Sequence, residues 1–123
     1  MHVKSPVLCL CNFGLVRSKT MANCLKRWGV AAKAVGMLNN QPVVLHHLMQ
    51  EAGSILICNK INVDENFCRE KGVTPSHAAA IKEVLGWHKN KIINVDTIGR
   101  DKWARENHPE LMEICTDWLK RKD

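Results

Sequence analysis

The chain has 123 residues, with 18 Lys and Arg against 12 Asp and Glu, so its formal net charge is +6. This length predicts one domain over residues 1–123 with one hydrophobic core. No apolar run approaches the roughly 18 residues that a membrane-spanning helix needs, and no signal-peptide pattern is present, so we expect a cytoplasmic protein without membrane contact. The positive charge favours an anionic partner. The basic residues are spread along the chain without interleaved aromatic residues, which does not favour nucleic acid.

Four predicted strands alternate with predicted helices along the chain. The strands are expected at 7–11, 31–35, 54–58 and 92–95. The helices are expected at 18–28, at 42–52, in a short segment within 59–72, at 74–85 before Gly86, and from Pro109 onward, with a charged loop at 96–107. This alternation predicts an α/β fold, a three-layer sandwich with a four-stranded parallel sheet of order 2-1-3-4 and helices on both faces. A ligand would bind at the carboxyl end of strand one.

The six cysteines lie at positions 9, 11, 24, 58, 68 and 115. An even number admits disulfides, but most of them lie in apolar runs, where Cys behaves as a small hydrophobic residue. No C-x2-C pair indicates zinc. We therefore expect reduced thiols and no metal. His46 and His47 are adjacent on a predicted helix and point in different directions, so we expect them at exposed or rim positions.

One segment combines a strand end, a short loop and a helix start. Cys11 ends the first strand, and Arg17 and Ser18 begin the next helix after five intervening residues. A loop of this size points its backbone N–H groups inward, where they can surround a tetrahedral oxyanion near the positive end of the helix dipole. The guanidinium of Arg17 can grip two phosphate oxygens at once. The predicted phosphate-binding residues are Asn12, Phe13, Gly14, Leu15, Val16, Arg17 and Ser18.

The same loop predicts a nucleophile. In an electropositive cup the pKa of the Cys11 thiol should fall below its free value of about 8.5. The thiolate can then attack phosphorus and form a phosphocysteine. Ser18 can hydrogen-bond the thiolate and help it leave in the second step. Gly14 lies in the middle of the loop, where a positive φ or a close backbone approach is needed.

The segment V-L-C-L-C-N-F-G-L-V-R-S-K-T-M-A (7–22) resembles the phosphate loop of the low-molecular-weight protein tyrosine phosphatases. It looks closest to their short bacterial and phage-type relatives, and the similarity continues at 52–60, 92–103 and 107–115. The resemblance implies a cysteine-dependent hydrolase without metal or other cofactor. It implies protein phosphotyrosine as the default substrate, so the expected partner is a phosphorylated protein or a small phosphate ester.

Cleavage of a phosphate ester also needs a proton for the leaving oxygen, usually from a carboxylic acid. The loop after strand four holds Asp96 and Asp101. In the relatives this loop resembles D-I-P-D-x-Y, which places the acid on Asp101 and the cleft aromatic on Trp103, with Asp96 just after the strand. Here two extra residues separate the aspartates and the Pro is missing. Asp101 is favoured over Asp96, and the reading in which both are surface carboxylates stays open.

The phosphate loop departs from the family pattern at further positions. Gly14 stands where the family often has Asn, Val16 replaces a second cysteine, and Lys19 replaces the usual Pro. His108 replaces the Asp expected before Pro109. These changes leave the thiolate and the anion cup in place and concern mainly the acid.

Three alternatives to a phosphatase remain open. The first is a catalytically weak module that binds a phosphorylated ligand or nucleotide with the same loop. The second is a phosphocarrier like the IIB components of sugar phosphotransferase systems, which Arg17 disfavours because those loops do not need an arginine there. The third is an arsenate reductase, which needs two further cysteines near the site; the spacing of Cys58 and Cys68 does not fit the thioredoxin-coupled members.

Overall fold

A computed structural model describes residues 3–98 together with residues 102 and 106. Its four strands are β1 (Val7–Cys11), β2 (Ala32–Gly36), β3 (Ser54–Ile57) and β4 (Ile92–Asn94). They form one sheet of order β2-β1-β3-β4, and every neighbouring pair is parallel. The predicted α/β fold with strand order 2-1-3-4 is confirmed, and each strand boundary lies within one residue of the prediction.

Four helices lie between the strands in the described part of the chain, and a fifth follows β4. They are α1 (Arg17–Arg27), α2 (Pro42–Glu51), α3 (Glu65–Glu70), α4 (Pro75–Trp87) and α5 (Val95–Ile98), with a 3-10 turn at Lys89–Lys91 before β4. Both α2 and α4 begin with Pro, which lacks the N–H that a first helical residue would leave unpaired. The hydroxyl of Thr74 caps α4 by accepting from the backbone N–H of His77 at 3.2 Å.

Two predicted boundaries are wrong. Helix α4 continues through Gly86 to Trp87, because one glycine inside a helix costs only about 1 kcal/mol and packing can offset this. The chain after β4 is not a loop at Asp96 but the first turn of α5, where a carboxylate is favoured by the helix dipole. Val95 anchors this turn in the core, where it is fully buried.

Alternating residues of β1 build two separate halves of the core. Val7 and Cys9 pack on one face of the sheet with Met21 and Leu25 of α1. Residues of the opposite face pack against α2 and α4, in the cluster that holds Leu8, Leu10, Leu45, Met49, Ile81 and Val84. Because successive side chains of a strand point to opposite faces, an entirely apolar β1 needs cover on both sides. The sheet is therefore the middle of three layers.

Cysteine oxidation differs from the expectation. Cys9, Cys11, Cys58 and Cys68 are free thiols, whereas Cys24 is disulfide-bonded. The expectation of reduced thiols is therefore wrong for Cys24.

Within the described residues, no helix has the length and apolar character that crossing a bilayer requires.

Candidate nucleophile and anion-binding site

The loop between β1 and α1 forms a cup around one buried sulfur. Cys11 is the last residue of β1 and is only 5% exposed. Its Sγ lies 3.0 Å from the hydroxyl oxygen of Ser18 and accepts a hydrogen bond from the backbone N–H of Gly14 at 3.1 Å. Ser18 itself is completely buried in the first turn of α1. The sequence-predicted pair of Cys11 and Ser18 is thus brought into direct contact.

These contacts act on the pKa of the thiol. Burial raises the pKa of Cys11, but hydrogen bonds from the Ser18 hydroxyl and from the backbone of Ser18, Gly14 and Phe13 lower it more, and the net pKa lies below the ordinary value. All of these groups donate to sulfur, so they stabilise the thiolate over the thiol. Cys11 is therefore suited to act as a nucleophile.

The start of α1 adds to the positive character of the cup. The N-cap residue Val16 makes no side-chain capping hydrogen bond, and the first turn holds no acidic residue. The first N–H groups of a helix have no partner within the helix, so they can donate to an anion at this end. Arg17 is the first residue of α1 and lies in the wall of the cleft above the sulfur.

Glycine at position 14 is required by the shape of the cup. Gly14 has φ of +72°, a backbone conformation that side chains disfavour. A Cβ at this position would lie 2.6 Å from the backbone N of Gly36. The cup therefore rests directly on the carboxyl end of β2, and Asn39 fixes it there by donating from Nδ2 to the carbonyl of Phe13 at 3.1 Å.

Asn12 joins the cup to the segment that follows β3. Its Nδ2 donates to the carbonyl of Lys60 at 3.3 Å, and its Oδ1 accepts from the backbone N–H of Asn62 at 2.8 Å. The side chain is 7% exposed, so the two bonds satisfy a buried amide. The sequence predicts Asn12 only as part of the phosphate-binding loop. The signal for its bracing role is a polar residue directly after a buried strand.

A cleft of about 940 Å³ opens above Cys11. The cup forms one wall, and the segment after β3 forms a second. The third wall consists of α3 and the residue that follows it. The lining residues are Cys11, Asn12, Phe13, Leu15, Val16, Arg17, Asn59, Lys60, Ile61, Asn62, Val63, Phe67 and Lys71. The second and third walls have no sequence signal of their own, because residues 59–72 show only a weak pattern for one short helix.

The cleft wall combines apolar, aromatic and cationic groups. Leu15 and Val16 are 73% and 53% exposed at its rim, and the rings of Phe13 and Phe67 lie with centroids 5.9 Å apart. Among the described lining residues there is no carboxylate. Such a site suits a ligand that has a phosphate group attached to an apolar body.

Asp96 does not line this cleft. Its Oδ2 accepts from the backbone N–H of Lys60 at 2.9 Å, so the carboxylate ties the start of α5 to the segment after β3. Asp96 therefore braces a wall of the site, and its role as an acid has no geometric support. The predicted acid Asp101 and the predicted cleft aromatic Trp103 lie outside the described residues.

A second polar cluster lies between α2 and the end of α4. Nδ1 of His46 and Nε2 of His88 are 2.9 Å apart, and the ring of His46 meets that of Trp87 edge-on at 5.3 Å. His46 is half-buried and His47 is exposed, so the expectation of exposed or rim positions is confirmed for both. No group of three or more potential metal ligands occurs among the described residues.

Comparisons of the chain with protein-family models, with curated proteins and with solved structures give no match. The case for a function therefore depends on the chemistry of the site.

Proposed function

We propose that the protein is a cysteine-dependent phosphatase that hydrolyses a phosphate monoester. The observation that carries this proposal is the lowered pKa of a buried cysteine that accepts hydrogen bonds from Ser18 and Gly14. A thiolate at the bottom of an anion-binding cup is placed to attack the phosphorus of a bound phosphate group. The resemblance of residues 7–22 to the phosphate loop of the low-molecular-weight phosphatases points to the same chemistry.

The proposed reaction has two steps. In the first, Sγ of Cys11 bonds to phosphorus, the P–O bond to the leaving group breaks, and an acid protonates the leaving oxygen. Arg17 and the N–H groups of the cup hold the other phosphoryl oxygens while charge develops on them. In the second, the conjugate base of that acid takes a proton from water as the water oxygen bonds to phosphorus, the S–P bond breaks, and inorganic phosphate and the thiolate are released. The Ser18 hydroxyl stabilises the departing thiolate.

We assign the acid of the first step to Asp101 and the cleft aromatic to Trp103 by their correspondence to the family's acid loop. Asp96 is already engaged by the backbone of Lys60. We propose protein phosphotyrosine as the substrate because the cleft surrounds the cup with apolar and aromatic groups, which suit an aryl phosphate.

A second candidate function is a binding module that keeps the cup without efficient turnover. The observation that favours it is the absence of a carboxylate from the described wall of the cleft. In that case Cys11 would contact a phosphorylated ligand without cleaving it.

We propose a cytoplasmic location because a catalytic thiol must stay reduced and cytosolic thiols generally do. The disulfide at Cys24 speaks against this location. Alkylation of the free thiols in freshly lysed cells, after unfolding without reductant, distinguishes a reducing from an oxidising compartment. A cytoplasmic protein is expected to be alkylated at Cys24, and an unmodified Cys24 would contradict this location.

Hydrolysis of para-nitrophenyl phosphate by the reduced protein tests the proposed phosphatase. We expect Cys11→Ser to abolish turnover and Asp101→Ala to reduce it strongly. Cys9→Ser is the matched control, since Cys9 is also a buried free thiol of β1 but packs in the core with Met21 and Leu25 and does not line the cleft. Phosphate binding without turnover in the wild type would support the binding module, and full activity in Cys11→Ser would contradict both the nucleophile and the mechanism.

A further inference from the structure

A second cavity adjoins the cleft above Cys11. It has a volume of about 370 Å³ and shares Phe13 and Lys71 with the cleft. Its other walls come from the turn before α2, which includes Asn39 and Gln41, and from the start of α4, which includes His77. The two cavities meet at Phe13 and Lys71, the residues that they share, and their combined surface is called the substrate groove.

The charge of the substrate groove is one-sided. Arg17, Lys60 and Lys71 line it, and among its described lining residues there is no Asp or Glu. Lys60 and Lys71 are exposed, and neither is in an ion pair within the described part of the chain. A cleft with charges of one sign concentrates ligands of the opposite sign. The phosphate group of a ligand would occupy the cup. Lys71 borders both cavities, so it is available to bind a second negative group of the same ligand.

The junction of the groove is held in place. Phe13 and Phe67 pack together and against the buried cluster of Leu38, Cys68 and Ala78. Lys71 follows the last residue of α3, and its backbone N–H donates to the carbonyl of Phe67 at 3.1 Å. On the far side, His77 donates from Nε2 to the carbonyl of Leu38 at 2.9 Å, since a carbonyl can only accept. The groove is therefore a preformed surface of the fold.

We propose that the substrate groove binds an extended phosphopeptide with an acidic residue next to the phosphorylated one, and that Lys71 selects this acidic residue. The inference rests on the proposed function, since it takes the cup as the site of the phosphate. A peptide continues beyond its phosphorylated side chain and can occupy the second cavity, where the side-chain amide of Gln41 can hydrogen-bond its backbone.

A nucleotide is a weaker match for the same groove. Bases bind on aromatic faces that are free to stack, whereas the rings of Phe13 and Phe67 pack on each other and on the core. The position of Lys71 favours a ligand that has a second negative group, a carboxylate or a phosphate, beside the phosphate in the cup. Nucleoside monophosphates therefore serve as the competing substrates in the test.

The test compares two phosphotyrosine peptides that differ only in the flanking residue, Glu or Gln, with para-nitrophenyl phosphate as the reference substrate. We expect kcat/KM to be about fivefold higher for the Glu peptide, the scale of an exposed ion pair. Lys71→Glu should make kcat/KM higher for the Gln peptide, whereas Lys71→Arg should keep the preference for the Glu peptide. Lys26→Glu is the matched control because Lys26 lies in the last turn of α1, at the opposite end of the sheet, and its ratio should equal that of the wild type.

The outcomes separate the two proposals. Equal kcat/KM for the two peptides with normal turnover of the reference substrate would overturn the role of Lys71 and leave the phosphatase intact. Faster turnover of a nucleoside monophosphate than of either peptide would also overturn it. If nothing is turned over, binding of the two peptides is measured directly: tighter binding of the Glu peptide that depends on Lys71 would support the groove, and equal or absent binding would overturn it.

Discussion

The cup around Cys11 favours the charged form of its titratable group, whereas the histidine pair between α2 and α4 favours the neutral form. In each, a buried titratable group lies about one hydrogen bond from a partner, 3.0 Å for Cys11 and Ser18 and 2.9 Å for His88 and His46. In each, the pKa of the buried group is lowered. For a thiol this favours the charged form, and for an imidazole it favours the neutral form.

The causes of the two shifts explain the difference. Burial raises the pKa of Cys11, and donors from Ser18, Gly14 and Phe13 reverse that effect. Burial lowers the pKa of His88, and the neighbouring His46 and Lys91 lower it further. The cup is therefore built to hold a negative charge, whereas the histidine pair excludes an additional positive one. A lowered pKa indicates a functional site only when its cause stabilises a reactive form.

The largest expected effect comes from Arg17 at the cup. Arg17→Lys keeps the positive charge but loses the planar fork that binds two oxygens. We expect kcat/KM for para-nitrophenyl phosphate to fall by about 100-fold, the scale seen when a donor to a developing oxyanion is removed. Steady-state kinetics with Arg27→Lys, at the other end of α1, provides the control. An unchanged rate in Arg17→Lys would mean that binding of two phosphate oxygens by the planar guanidinium does not contribute to the reaction.

Gly14 tests whether the cup depends on its contact with β2. Gly14→Ala places a Cβ at a positive φ and 2.6 Å from the backbone of Gly36, so we expect a loss of about 2 kcal/mol in the free energy of unfolding together with reduced phosphate binding. Gly29→Ala is a close control, since Gly29 also has a positive φ, +87°, but nothing lies within 4 Å of the added Cβ. Urea unfolding of the two variants compares them. Equal losses would show that the collision with β2 contributes nothing.

Ser18 tests the cause of the lowered thiol pKa. Ser18→Ala removes a hydrogen bond to the thiolate, so the pKa of Cys11 should rise. The rate of alkylation by iodoacetamide at about pH 6 should fall roughly tenfold, since a bond to a charged group contributes about 1.5 kcal/mol. Thr20→Ala removes a nearby hydroxyl that donates to the carbonyl of Val16 at 2.8 Å and should leave the alkylation profile unchanged. If Ser18→Ala behaves in the same way, the backbone donors alone set the pKa.

The histidine pair is expected to give the smallest effect. In the unfolded chain His88 takes up a proton near its ordinary pKa of 6.5, and in the folded protein it does so only at lower pH. The unfolding free energy is therefore complete above that value and falls as the pH drops through the interval between the two pKa values. The cause is the cost of placing a positive charge on a buried ring beside His46 and Lys91.

Urea midpoints measured between about pH 8 and pH 5 check this expectation. His88→Gln should flatten the pH dependence, and His47→Gln, at an exposed neighbouring position, should not change it. A wild-type midpoint that rises on acidification would show that the pair favours a positive charge after all.

Much of the fold could be predicted from the sequence because its determinants are local. An apolar β1 followed by amphipathic segments specifies a covered parallel strand, and Pro42 and Thr74-Pro75 mark helix starts. Gly14 could likewise be predicted to need a positive φ, which the structure confirms at +72°. The contact between Cys11 and Ser18 follows from the spacing of one short segment.

The rest of the site depends on contacts between distant segments. The bonds of Asn12 to Lys60 and Asn62 join residues 48 and 50 positions apart, and His46 meets His88 across 42 positions. No local pattern encodes such pairs. Asp96 was a plausible acid by position after β4, but its bond to the backbone of Lys60 depends on how the β3 and β4 ends approach each other.

The most direct test of the account is to trap the phosphorylated thiol. The reduced protein is mixed with para-nitrophenyl phosphate, quenched rapidly during turnover and digested for mass spectrometry, with Cys11→Ser treated in parallel. The account predicts a phosphoryl group on the sulfur of Cys11 and none on any other cysteine. Turnover that proceeds with Cys11 unmodified, or with the phosphoryl group on a different residue, would contradict it.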